Sequence, residues 1–143
     1  MESATLSHLQ ILFWLVVGAA LAALFLRLAT LRRQGSRGIL AVGLMIAAWI
    51  YVFFGGISEA GSGWLAIELA GVLLFSLFAL LGIRRSGYWL AAGWGLHTVW
   101  DLGLHFVGPG RSLAPARYAV ACLSFDLVVS AWIVWRLRTS SRN

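Results

Sequence analysis

Residues 87–107 read GYWLAAGWGLHTVWDLGLHFV. The stretch is almost wholly apolar, yet it holds His97, Asp101 and His105. At 1.5 Å per residue it makes a helix of roughly 30 Å, the thickness of a bilayer's hydrocarbon core. The three ionisable residues recur at i, i+4 and i+8, so they share one helix face with neighbours about 6 Å apart. A spanning helix must turn such a stripe toward a bundle interior or a water-filled cavity. This segment therefore predicts a membrane bundle with partners for those side chains.

The rest of the chain supplies the bundle. Of 143 residues, 61% are hydrophobic and only 11% charged. A soluble domain of this size carries about 25% charged residues. Five apolar blocks run approximately over 8–26, 39–58, 63–83, 87–107 and 118–136. Backbone amides in lipid find partners only inside a helix or a closed barrel, and blocks of this length are helices. The expected fold is all-α: one integral membrane domain over 1–143, a bundle of five transmembrane helices. The opening residues, MESATLSH, hold no basic region before the first apolar run, so that helix is expected to be retained rather than cleaved.

The net charge is +6, and every basic residue is Arg. These arginines sit at the ends of apolar blocks and form no basic stripe with aromatics, which argues against a nucleic-acid partner. Arg27, Arg32, Arg33 and Arg37 follow block one; Arg84 and Arg85 follow block three; Arg136, Arg138 and Arg142 follow block five. Glu59 lies between blocks two and three, without a base. The positive-inside rule then predicts an outside N-terminus and a cytoplasmic C-terminus in a cell inner membrane. Arg111 and Arg117, in the fourth connection, run against that assignment but are outnumbered. Tyr88, Trp89, Tyr118, Trp132 and Trp135 fall at block ends, where aromatic rings prefer the headgroup level.

Three of the five acidic residues, Glu68, Asp101 and Asp126, fall inside blocks three, four and five. A central Asp costs about 2.5–3.5 kcal/mol on insertion scales. In the expected topology the three carboxylates lie about 8, 9 and 12 Å below the outer surface. Three helices thus bring a carboxylate to one level, with His105 above and His97 below. Helix-to-helix hydrogen bonding alone is a weak reason for them, because such bonds average about 0.6 kcal/mol and Ser, Thr or Asn would serve.

The segment Leu96-His97-Thr98-Val99-Trp100-Asp101, followed by His105, resembles an uncharacterised family of small bacterial integral membrane proteins, a domain of unknown function. The resemblance extends to Cys122 through Asp126, to Trp132, and to Trp64 through Gly71. Leu104 stands where the family pattern has the first of two adjacent histidines. The resemblance implies that these residues matter in the relatives. It implies no reaction.

Three chemistries fit the cluster. The first is a membrane-embedded enzyme acting on a lipid or lipophilic small molecule. Crowded carboxylates in low dielectric share protons, so one can donate while another stays ionised. Glu68, His97, Asp101, His105 and Asp126 are the expected catalytic residues. Trp64, Trp100, Trp49 and Tyr51 are the expected substrate contacts, since aromatic faces stabilise a developing cation. Protonation-driven isomerisation or cyclisation suits this set. The second is metal binding by His97, Asp101, His105 and Glu68, with zinc or iron as the expected ion. His97 and His105 lie about 12 Å apart along the axis, so one ion takes only neighbours. The third is metal-ion or proton transport. The lower half of helix four, Tyr88 to Leu96, holds no ionisable group at neutral pH, so a conduction path would need a homodimer. Ser124 and Cys122 lie near Asp126, but no nucleophile motif surrounds them, and Cys122 reads as packing.

Overall fold

The computed structural model describes residues 6–31, 36–58 and 62–140. Arg32, Arg33, Glu59 and Arg142 lie outside the described residues. Every regular element among the described residues is helical. The order is α1 (His8–Leu31), α2 (Ser36–Ile57), α3 (Ser62–Arg84), α4 (Gly87–Trp100) and α5 (Ala116–Ser140). A π-helix over Asp101–Phe106 continues α4, and a 3-10 turn over Pro109–Ser112 precedes α5.

Among the described residues, four helices are long and apolar enough to cross a membrane: His8–Leu31, Ser36–Ile57, Gly63–Arg84 and Ala116–Ser140. The α-helical part of α4 has 14 residues, too few for a span, but the six-residue π-helix follows it without a break. Together they cover most of the expected 87–107 block. The other helices overrun their apolar blocks by up to roughly a turn and a half, because a helix does not stop where hydrophobicity stops. Two helix starts are capped by side chains. Ser7 and Gln10 form a reciprocal capping box, Ser7 N to Gln10 Oε1 at 2.9 Å and Gln10 N to Ser7 Oγ at 3.3 Å. Ser86 caps α4 by accepting from the Tyr88 amide.

The helices form an incomplete ring. Contacts run α1 to α5, α5 to α4, α4 to α3 and α3 to α2, with α2 also touching α4. The first two helices are consecutive in sequence yet hardly meet. Small residues set the closest approaches. A Cβ on Gly18 of α1 would collide with the Ala121 carbonyl and the Ser124 hydroxyl of α5. Such small-residue seams let helices associate in lipid, where no hydrophobic drive separates helix from tail. Ser130 Oγ of α5 donates to the Ala91 carbonyl of α4 at 2.8 Å, a polar stitch across a second seam. Leu44, Phe75, Leu90, Trp94 and Val129 fill the centre.

Candidate functional site

Five ionisable residues from within the apolar blocks point inward. Glu68, His97, Asp101, His105 and Asp126 each keep 2% or less of their surface, so none faces lipid. They fall into two linked groups. In the first, His97 Nδ1 lies 2.7 Å from Asp126 Oδ2 and 3.5 Å from Asp101 Oδ1. With Asp126 ionised, the Nδ1–H of His97 donates this short bond across from α4 to α5. Asp101 is an electrostatic neighbour at that distance, not a good hydrogen-bond partner. In the second group, His105 Nε2 lies 3.4 Å from Glu68 Oε1 on α3. The other Glu68 oxygen accepts a long bond from Trp100 Nε1–H at 3.4 Å.

Tyr51 of α2 joins the groups. Its ring stacks on His105 with centroids 3.9 Å apart and lies 6.0 Å from the His97 ring. Its buried hydroxyl sits near Asp101 but has no hydrogen-bond partner. Phe75 of α3 covers the other side of His97 at 4.7 Å and meets Trp100 edge-on at 5.8 Å.

The backbone takes an unusual turn at this layer. An α-helix carries each i+4 residue about 40° around the axis. A π-helix closes wider turns with i→i+5 bonds, and such turns concentrate at functional sites. The Val107 amide donates to the Leu102 carbonyl at 3.0 Å in this pattern. The wider turn winds less per residue, so His105 is brought back over the stripe rather than drifting further round. The 3-10 turn then folds over this end of α4. A Cβ on Gly110 would come within 2.9 Å of the Leu104 carbonyl and 3.2 Å of both His105 Nδ1 and the Trp64 ring. Gly110→Ala is therefore expected to displace His105 from its stack on Tyr51. Histidine ring resonances in NMR spectra of the variant should shift for His105 and stay put for His8, which lies at the start of α1.

The predicted residues thus separate into those the fold brings together and those it does not. Glu68, His97, Asp101, His105 and Asp126 converge, with Tyr51 and Trp100 in contact. Trp64 is half-buried beside Gly110. Trp49 is exposed on the outer face of α2, in a shallow groove with Val42, Met45 and Phe53. The four residues expected to ligate a metal are regrouped. His97 and Asp101 gather with Asp126, with one ligand atom from each lying within 4.8 Å of the others, while Glu68 pairs with His105.

From sequence alone, Tyr118 has only a belt role. Its ring packs edge-on against Phe54 at 5.2 Å and Tyr51 at 5.9 Å. Tyr118, Cys122 and Asp126 recur every fourth residue on one face of α5, a spacing that could have marked them as a set. Phe75 shares a face of α3 with Glu68, seven residues earlier, and the same argument reaches it.

Beside the cluster lies a cavity of about 590 Å³. Its walls come from α1 between Trp14 and Phe25, from α2 between Gly43 and Phe54, from Trp94, and from α5 between Arg117 and Asp126. The lining is apolar except at the ends and at Asp126. Leu21 and Ile46 line the cavity and are also exposed outside, so the space opens through the gap between α1 and α2.

An all-helical, multi-pass membrane-type protein with a buried histidine–carboxylate cluster is the class that this fold and site define. The chain belongs to the family of unknown function DUF6010, whose model matches residues 9–139. No curated protein and no solved structure matches it.

Proposed function

We propose that this protein is a membrane-embedded enzyme that performs acid–base chemistry on a lipophilic substrate held in the cavity between α1, α2 and α5. The observation that carries this reading is Asp126. It is the one carboxylate among the described residues of the cavity wall, and behind it stands His97 at 2.7 Å, followed by Asp101. A cavity of this size and apolar lining suits a single small ligand. The substrate's reacting carbon would lie against Asp126 while its apolar body lies along α1. Phe25, Trp94, Tyr118 and Phe125 also line the cavity, and their faces would stabilise positive charge on that carbon.

The reaction class is protonation-driven isomerisation or cyclisation. The carboxylic acid gives a proton to a carbon–carbon double bond, whose electron pair forms the new C–H bond. A cation develops at the neighbouring carbon. An internal double bond can attack it, closing a ring and moving the cation to a further carbon; in either case a carbon next to the cation loses a proton, and its C–H electron pair forms the new double bond. The proton returns to the carboxylate, and His97 and Asp101 supply the charge balance between steps. The Arg distribution supports an outside N-terminus and a cytoplasmic C-terminus in an inner membrane, which reporter fusions at the two ends would test.

The test is deuterium uptake. Purified protein in lipid nanodiscs, given polyunsaturated isoprenoid lipids in deuterated water, should place deuterium on carbon. Asp126→Asn should lower the rate by roughly 10²–10⁴-fold, the usual worth of a positioned acid. The alternative reading is metal-ion or proton transport. Ion flux in proteoliposomes that Asp101→Asn abolishes would overturn the enzyme reading in its favour.

A further inference from the structure

We infer that His97, Asp101 and Asp126 form a binding site for one divalent first-row metal ion. The inference does not rest on the enzyme reading, since a bound ion is read without any substrate, and Asp126 donates a proton only in the ion-free form. Three observations carry it.

The first is geometry. One ligand atom from each residue lies within 4.8 Å of the other two. Metal–ligand bonds of about 2.0–2.2 Å to imidazole nitrogen and carboxylate oxygen place two donors of one ion at most about 4.4 Å apart, so small side-chain shifts close the triad round an ion. His97 and Asp101 come from one face of α4, and Asp126 comes from α5. The seam between those helices is held independently by Ser130 on Ala91, so the donors do not depend on the ion for their approach.

The second is the set of orphaned atoms. Both oxygens of Asp101 are fully buried and have no hydrogen-bond partner. Its ion-pair neighbour, His97 Nδ1, lies 3.5 Å away, so the burial of this carboxylate is only partly compensated. The neighbouring Tyr51 hydroxyl is also buried without a partner, so a further oxygen donor stands beside the triad.

The third is charge. Two ionised carboxylates, a neutral imidazole and a divalent ion sum to zero. Neutrality is the condition that a low-dielectric interior favours most strongly. Two aspartates against a single histidine leave an unbalanced charge whenever both acids are ionised. The ion removes it by replacing the proton that His97 shares with Asp126.

The donor set is one nitrogen and two oxygens. It suits manganese, iron, cobalt or zinc and lacks the thiolates that select copper(I). Three protein ligands leave coordination positions open, as in reactive sites rather than purely structural ones.

The test uses cobalt(II) as a coloured probe on the full chain, stripped of metal and held in lipid nanodiscs. One equivalent should bind, with visible bands of the intensity that four- or five-coordinate cobalt gives. Asp101→Asn and Asp126→Asn should each weaken binding by at least roughly 10–100-fold, the loss seen when even a supporting ligand contact is removed. Glu68→Gln, which lies outside the triad and pairs with His105, should weaken binding far less. Weak six-coordinate bands in the wild type, or equal loss in Glu68→Gln, would overturn the site. X-ray absorption on the cobalt-loaded wild type decides the matter even where a variant fails to fold. One imidazole and carboxylate oxygens are expected, and a shell without imidazole scattering refutes the assignment. Failure to bind cobalt, in protein that still exchanges deuterium into lipid, would leave the enzyme reading standing while this site fails.

Discussion

Gly18→Leu is expected to break the seam between α1 and α5 and to lower the protein's thermal stability in detergent sharply. The direction follows from what the new side chain meets. Even a Cβ at this position collides with the Ala121 carbonyl, which is backbone and cannot rotate aside, and with the Ser124 hydroxyl. Overpacking a well-filled core costs about 1–3 kcal/mol and occasionally more. Here helix-to-helix distance itself must grow, so the upper part of that range or beyond is expected. Gly38→Leu is the matched control. A Cβ there meets nothing within 4 Å, and leucine favours helix over glycine by several tenths of a kcal/mol. Its melting midpoint should hold or rise. Equal falls for both variants would mean that α1 does not sit against α5 as described.

The second large effect is expected at Asp126, and it separates shape from charge. Asp126→Ala removes the partner of His97 and leaves its Nδ1–H buried with only Asp101 at 3.5 Å. Breaking a buried ionic pair by removing one member costs about 3–5 kcal/mol. Asp126→Asn keeps an oxygen that accepts the same Nδ1–H, so its melting midpoint should fall far less. In contrast, Asn gives up no proton and holds no charge, so it should be as inactive as Ala in the deuterium assay. Stability that follows the order wild type, Asn, Ala, combined with activity lost in both, is the expected pattern. A melting midpoint unchanged in Asp126→Ala would show that the His97 contact is not formed.

How far the sequence anticipates this arrangement differs from part to part. The helices are legible because bilayer thickness sets a length that apolar blocks either meet or miss. The inward direction of Glu68, Asp101 and Asp126 is legible because an ionisable side chain in lipid has nowhere else to go. The pairing is not. Spacing along α4 suggests His97 with Asp101, whereas the shortest contact runs across to Asp126 on another helix. Helix rotation and tilt decide that, and both are set by seams such as Gly18 against Ala121. Nor is the π turn legible, since nothing in the sequence of Asp101–Phe106 separates i→i+5 from i→i+4 bonding. It is consistent with the stack of His105 on Tyr51 and the close pass of Gly110, contacts between residues far apart in sequence. From sequence alone, α1 and α2 read as a supporting wall to which only Trp49 and Tyr51 add candidate contacts. Their sparse contact, in which Phe25 of α1 lies against Gly43 of α2, leaves no mark on either helix alone.

That gap between α1 and α2 changes how concentration is reckoned for anything entering through it. Leu21 and Ile46 stand at the opening, midway along their helices, the level at which a spanning helix meets acyl chains rather than water. A molecule arriving there is counted as a mole fraction of the bilayer and travels by lateral diffusion in two dimensions. Occupancy would then depend on the ratio of ligand to lipid. Adding empty vesicles that exchange lipid would dilute the ligand and empty the cavity, while adding buffer would leave it filled.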